Sequence, residues 1–65
     1  MATYNNANTL YGYDGNVIAR KGDTFTINSV YTYGNGTRWY DVTNNRTGVK
    51  YNMREDAMAD FIITD

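Results

Sequence analysis

The chain contains no cysteine, no histidine and no proline, and its one serine is Ser29. Without cysteine no disulfide can staple a small core, and without cysteine or histidine the usual structural zinc ligands are missing. Nucleophilic catalysis needs a nucleophile activated by a neighbouring base, and a lone serine in a strand-like run with no histidine builds no triad. Glu55 and Asp56 are adjacent and point apart on a helical turn, so they do not form a facing acid–base pair. The expectation is a protein that is not an enzyme and holds no metal and no cofactor. Long apolar runs are absent as well: none exceeds three residues, as in Phe61-Ile62-Ile63, and the opening Met-Ala-Thr-Tyr-Asn-Asn has no basic stretch followed by an apolar one. A transmembrane helix and a signal peptide are therefore not expected, and the reading is of a cytoplasmic protein without a membrane partner.

What is present fits one small domain. Sixty-five residues bury only about 60% of the surface an unfolded chain exposes, so stability has to come from close packing. The expected core is Leu10, Val17, Ile18, Phe25, Ile27, Val30, Val42, Val49, Met53, Met58, Phe61, Ile62 and Ile63 with some of the tyrosines. A single domain over 1–65 is expected, with residues 1–8 flexible. Charge is uneven along a chain of net charge −1: residues 20–50 are basic, whereas 51–65 carry Arg54 against Glu55, Asp56, Asp60 and Asp65. Seven tyrosines and one tryptophan accompany many asparagines and threonines. Tyrosine with asparagine is a recognition composition, since the ring gives contact area at low entropic cost and the amide adapts its hydrogen bonds. The same tyrosines and threonines are also good strand formers.

With proline absent, glycine and asparagine mark the turns: Asp14-Gly15-Asn16, Lys21-Gly22-Asp23, Gly34-Asn35-Gly36 and Asn44 to Gly48 each separate strand-like runs. Short strands with regular turns predict a small antiparallel β protein. Asp14-Gly15 is read as a type I′ hairpin turn rather than a calcium loop. Thr24 to Tyr33 alternates at Phe25 and Ile27, but Val30 falls out of phase, which predicts a bulge near Asn28-Ser29. Asn52 followed three residues later by Glu55 has the form of a capping box, and Met53, Ala57, Met58 and Phe61 recur on one helical face. A short helical turn over about 53–60, returning into a last strand, is expected.

Four features occur in a recognisable order: Thr9-Leu10-Tyr11-Gly12-Tyr13, then Lys21-Gly22-Asp23, then Trp39-Tyr40-Asp41-Val42, then Gly48 with Tyr51. In this order the chain resembles an SH3-type domain, closest in style to the bacterial SH3b group. The four correspond to the aromatic motif before the first loop, the diverging turn, the tryptophan strand and the last hairpin. The resemblance implies an all-β fold, a five-stranded antiparallel SH3-like barrel, and a binding surface at Tyr11, Tyr13 and Trp39. Two departures matter. The segment between Tyr13 and Lys21 is short for a long recognition loop, and Met53 to Ala59 stands where a proline and a second aromatic complete the peptide groove of the eukaryotic family. The expected surface is thus an aromatic patch rather than a proline-dependent groove.

Strand alternation supplies the rest of that patch. If Tyr40 and Val42 face the core, Trp39 faces out, and Tyr31 and Tyr33 share one face. The candidate partner-binding residues are Trp39, Tyr11, Tyr13, Tyr31, Tyr33 and Arg38, and the expected ligand is a protein; the competing readings are that Trp39 covers the first loop and that Tyr31 and Tyr33 are stabilising cross-strand pairs. A stand-alone module of this kind suits a phage or mobile-element accessory protein that modulates a host protein, in the host cytoplasm. Arg38, Trp39, Arg46 and Lys50 form an alternative, a surface for single-stranded nucleic acid. A pI of about 5.0 weighs against it, because nucleic-acid-binding domains normally exceed about 9. Cell-wall binding and a phage structural role are the remaining alternatives.

Overall fold

The glycine-marked turns divide the chain into short strands. The computed structural model describes residues 1–64, and its elements in order are β1 (Ala2–Tyr4), β2 (Leu10–Tyr11), β3 (Val17–Ala19), β4 (Thr24–Thr32), β5 (Arg38–Asn44), β6 (Lys50–Arg54), a 3₁₀ helix (Glu55–Asp60) and β7 (Phe61–Ile63). Two of the turns share one construction. Gly15 donates to the Gly12 carbonyl at 3.0 Å and Gly36 to the Tyr33 carbonyl at 2.9 Å, and both glycines are left-handed, at φ 79° and 86°. Asp14 and Asn35 each accept, through a side-chain oxygen, the backbone N–H two residues on. This differs from the expected type I′ turn at Asp14-Gly15, which needs positive φ at both central residues; only Gly15 has it.

The strands pair antiparallel in two sheets, one of five strands ordered β6-β5-β4-β1-β7 and a separate pair β2-β3. The fold is all-β, with a helical turn before the last strand as expected. The five-stranded ladder is open, however: among the described residues β6 and β7 are its two edges, and no hydrogen-bonded pairing joins them. Residues expected to be flexible instead supply a strand between two others, since Ala2 pairs with Phe25 on one side and with Ile63 on the other. Three residues are too short to show alternation, which is why β1 leaves no trace in the sequence pattern.

The bulge is where the phase of the sequence requires it. The β4–β5 register runs Ile27↔Val42 and then Ser29↔Asp41, so Asn28 is the extra residue. Its side-chain amide donates to Thr43 Oγ1 at 2.9 Å. One inserted residue exchanges the two faces of the strand beyond it. Val30 therefore returns to the face of Phe25 and Ile27, and Tyr31 moves to the opposite one.

The core is Ala2, Tyr4, Ala19, Phe25, Val42, Met53, Met58 and Phe61, with Leu10, Ile18, Ile27, Tyr40 and Tyr51 packed partly against it. Phe61 is its hub, with ring centroids 5.1 Å from Tyr4 and 5.2 Å from Phe25. Four expected core residues, Val30, Val49, Ile62 and Ile63, are exposed. Val49 lies next to a turn and the two isoleucines lie on an edge strand, while Val30 sits where the β4–β5 hairpin extends past the core. The capping box is also absent. β6 continues to Arg54, which pairs with Trp39, so Asn52 is still in a strand and the 3₁₀ helix starts at Glu55 with no side-chain cap.

Two buried polar residues tie the turns together. Asp23 accepts from the Arg20 N–H at 2.9 Å, from Asn44 Nδ2 at 3.1 Å, and from Arg46 through Nε at 2.9 Å and Nη2 at 3.0 Å. The paired guanidinium bonds hold the Asp23 carboxyl far below the usual carboxylate range, against the opposing effect of burial.

Candidate functional site

The outward face of β5 builds the site from one side. Val42 is buried, and alternation puts Trp39 and Asp41 on the face opposite Val42 and Tyr40. Tyr31 is the cross-strand partner of Trp39. Tyr33, two residues further on, meets the Trp39 ring edge-on, with centroids 6.4 Å apart and planes at 85°. That geometry is favoured by the quadrupoles of the two rings. Tyr31 and Tyr33 keep 44% and 53% of their surface exposed, while Trp39 is half-buried. The bulge at Asn28 makes this cluster, because without it Tyr31 and Tyr33 would lie on the face away from Trp39.

The β2–β3 hairpin builds the other side. Tyr13 is fully exposed at the tip and Tyr11 is 60% exposed on β2. Tyr13 and Trp39 line one groove of about 380 Å³ together with Ile18, Met53 and Ala57 and the polar Asn52, Arg54 and Asp56. The polar part is itself ordered. Arg54 donates to Asp56 through Nε at 2.7 Å and Nη2 at 2.6 Å, and these bonds lower the Asp56 carboxyl to about 2. The Arg54 guanidinium is held protonated chiefly by the same bonds and by the charge of Asp56. Because both side chains are exposed, the pair adds little to stability; it keeps the groove edge charged but locally neutral.

Tyr13 and Ile18 recur in two neighbouring grooves. One, of about 500 Å³, adds Asp14, Asn16, Val17, Val49 and Tyr51. The other, of about 280 Å³, adds Leu10, Tyr11, Met53 and Ala57. Tyr13 thus stands between three concavities with mostly apolar walls. The Asp14 carboxyl beside it is kept ionised by the backbone N–H and side-chain amide of Asn16, which lower its pKa.

The six candidate residues are not all brought together. Trp39, Tyr31, Tyr33 and Tyr13 are neighbours, and Tyr11 joins them through Tyr13 without sharing the Trp39 groove. Arg38 follows the opposite alternation from Trp39, pairs with Thr32 and lines none of these grooves. The basic alternative is dispersed. Arg46 is committed to Asp23, and the partners of Arg38 and Lys50 put them at opposite ends of β5, about 17 Å apart at strand spacing. Ile18, Arg54, Asp56 and Ala57 are groove residues that sequence reasoning missed, Met53 and Ala57 having been read as one helical core face. Exposed aromatic rings above an apolar groove with an ordered polar edge are equipped for non-covalent recognition. Among the described residues no three His, Cys, Asp or Glu side chains gather as a metal site would require. Comparison of the chain with protein-family models, with curated proteins and with solved structures gives no match.

Proposed function

We propose that this domain is a small non-catalytic binding module, SH3-like in architecture, that engages a protein partner through the aromatic surface around Trp39 and Tyr13. The observation that carries the reading is that these two residues, one from a strand of the five-stranded sheet and the other from the turn of the β2–β3 hairpin, line one groove. Support for the architecture comes from the order of elements. An aromatic-bearing hairpin is followed by a tight turn at Lys21-Gly22-Asp23, a tryptophan strand and a helical turn before the last strand, as the resemblance requires. Tyrosine and tryptophan are the residues most often found to dominate protein interfaces, because a large ring buried by the partner contributes much at little entropic cost. Tyr33 already orders the Trp39 ring, so less freedom is lost on docking.

The test is capture of partners from bacterial lysate on immobilised wild-type, Trp39→Ala and Tyr13→Ala domains, with circular dichroism confirming that each bait is folded. A partner retained by wild type and weakened by about 30-fold or more in both variants, the loss expected of a hot-spot residue, supports the proposal. Equal recovery on all three baits overturns it.

A further inference from the structure

The β2–β3 hairpin presents a mechanical question. It carries Tyr11 and Tyr13, but among the described residues it pairs only with itself, through Leu10↔Ala19 and Tyr11↔Val17. An isolated two-stranded hairpin is marginal in water, so its position over the sheet has to come from tertiary contacts. Leu10 and Ile18 pack only partly against the core, and apolar packing has little directional preference. Among the described residues the directional contacts are two side-chain hydrogen bonds sent from the five-stranded sheet to carbonyls of β3. Asn44 Nδ2 donates to Ile18 O at 3.1 Å, and Tyr51 Oη donates to Val17 O at 3.4 Å.

Asn44 is held from both ends. It is fully buried in the sheet end of β5. Its oxygen accepts the Arg46 and Thr47 N–H groups at 2.9 and 3.4 Å, and its nitrogen divides its two protons between Ile18 O and Asp23 Oδ2. With every donor and acceptor engaged, the amide cannot rotate without leaving a buried group unpaired. Asp23 is fixed in turn by the fork of Arg46. A continuous chain of contacts therefore runs from a half-exposed guanidinium, through Asp23 and Asn44, to the backbone of Ile18, the residue that lines all three grooves beside Tyr13.

From this we infer that Asn44, with Arg46 behind it, is a positioning residue for the proposed binding surface: it sets where the Tyr11–Tyr13 hairpin sits relative to Trp39 while touching neither tyrosine. The inference rests on the binding reading for its importance but not for its test. Native-state hydrogen exchange followed by NMR compares wild type with Asn44→Ala and Arg46→Lys, the second keeping the charge and losing the fork. Gly12 N–H, bonded to Asn16 O within the hairpin, reports local opening, and core amides such as Val42 report global opening. The expected result is that the hairpin amides of Asn44→Ala exchange about tenfold faster relative to the core amides, and those of Arg46→Lys faster by a smaller factor. Nuclear Overhauser contacts from Tyr13 into the Trp39 groove should weaken in the same order. Hairpin and core amides shifting by one common factor, or hairpin amides unchanged, would overturn the inference. If Asn44→Ala does not fold, Arg46→Lys alone decides between the same outcomes. Since no partner is added, failure here is separate from failure of the capture experiment.

Discussion

At the scale of single residues the buried polar cluster outweighs the visible charges. Asp23 and Arg46 are 23 residues apart in sequence, and although alternation puts Asn44 on the face of Val42, nothing in the pattern of apolar positions says that a polar side chain there is buried and fully paired. They became legible only once the turns were folded against each other. The aromatic residues were more readable, because alternation alone separates Trp39 from Val42. The electrostatic consequence is a specific acid response. The folded state favours the Asp23 carboxylate, so its stabilisation is complete above the ordinary carboxylate pKa of about 4. It is lost as pH falls from there toward the lower folded value. Asp23→Asn should therefore cost about 2–3 kcal/mol at pH 7 and show a much smaller further loss between pH 4 and pH 2 than wild type. Urea titrations across that range measure it; parallel pH profiles for the two proteins would contradict the assignment. The exposed Asp14 and Asp56 carboxyls, also held low, add only a small, salt-screened part of the slope.

At the scale of elements, the turns and the bulge were legible because each has a local cause. Glycine at a left-handed position and an out-of-phase valine both act over a few residues. β1, the missing cap and the exposed edge isoleucines were not, because each is decided by what pairs alongside. The hairpin tip offers a sharp check on the turn geometry. Gly34 and Gly36 both have open space where a Cβ would go, but only Gly36 has positive φ, at +86°. Gly36→Ala should destabilise by about 1 kcal/mol, whereas Gly34→Ala should be neutral or stabilising by a few tenths through the unfolded chain. Thermal melts of the two single variants make the comparison. A larger loss in Gly34→Ala than in Gly36→Ala would mean that the turn is built another way.

At the scale of the whole molecule, a radius of gyration of 11.4 Å and a shape 32 × 29 × 20 Å describe a flattened body with a core of eight buried apolar residues. The all-β class was readable from turn spacing alone; the open ladder was not, since closure depends on distances between strands that no local pattern encodes. One feature of that ladder governs how the chain reaches its native state. β4, β5 and β6 are joined in sequence order by short hairpins, whereas β1 and β7 pair Ala2 with Ile63, contacts that close nearly the full length of the chain. Loop entropy sets the order of events. The three-stranded meander should be formed in the transition state, and the two ends of the chain should join it afterwards. Val42→Ala is then expected to act mainly by slowing refolding, and Phe61→Leu mainly by speeding unfolding, a division that stopped-flow chevrons resolve. A slow-folding Phe61→Leu with unchanged unfolding would reverse that order. If the ends detach first, the lifetime of the folded state is set by a three-residue strand and its neighbours, and resistance to proteolysis and speed of folding become separately adjustable.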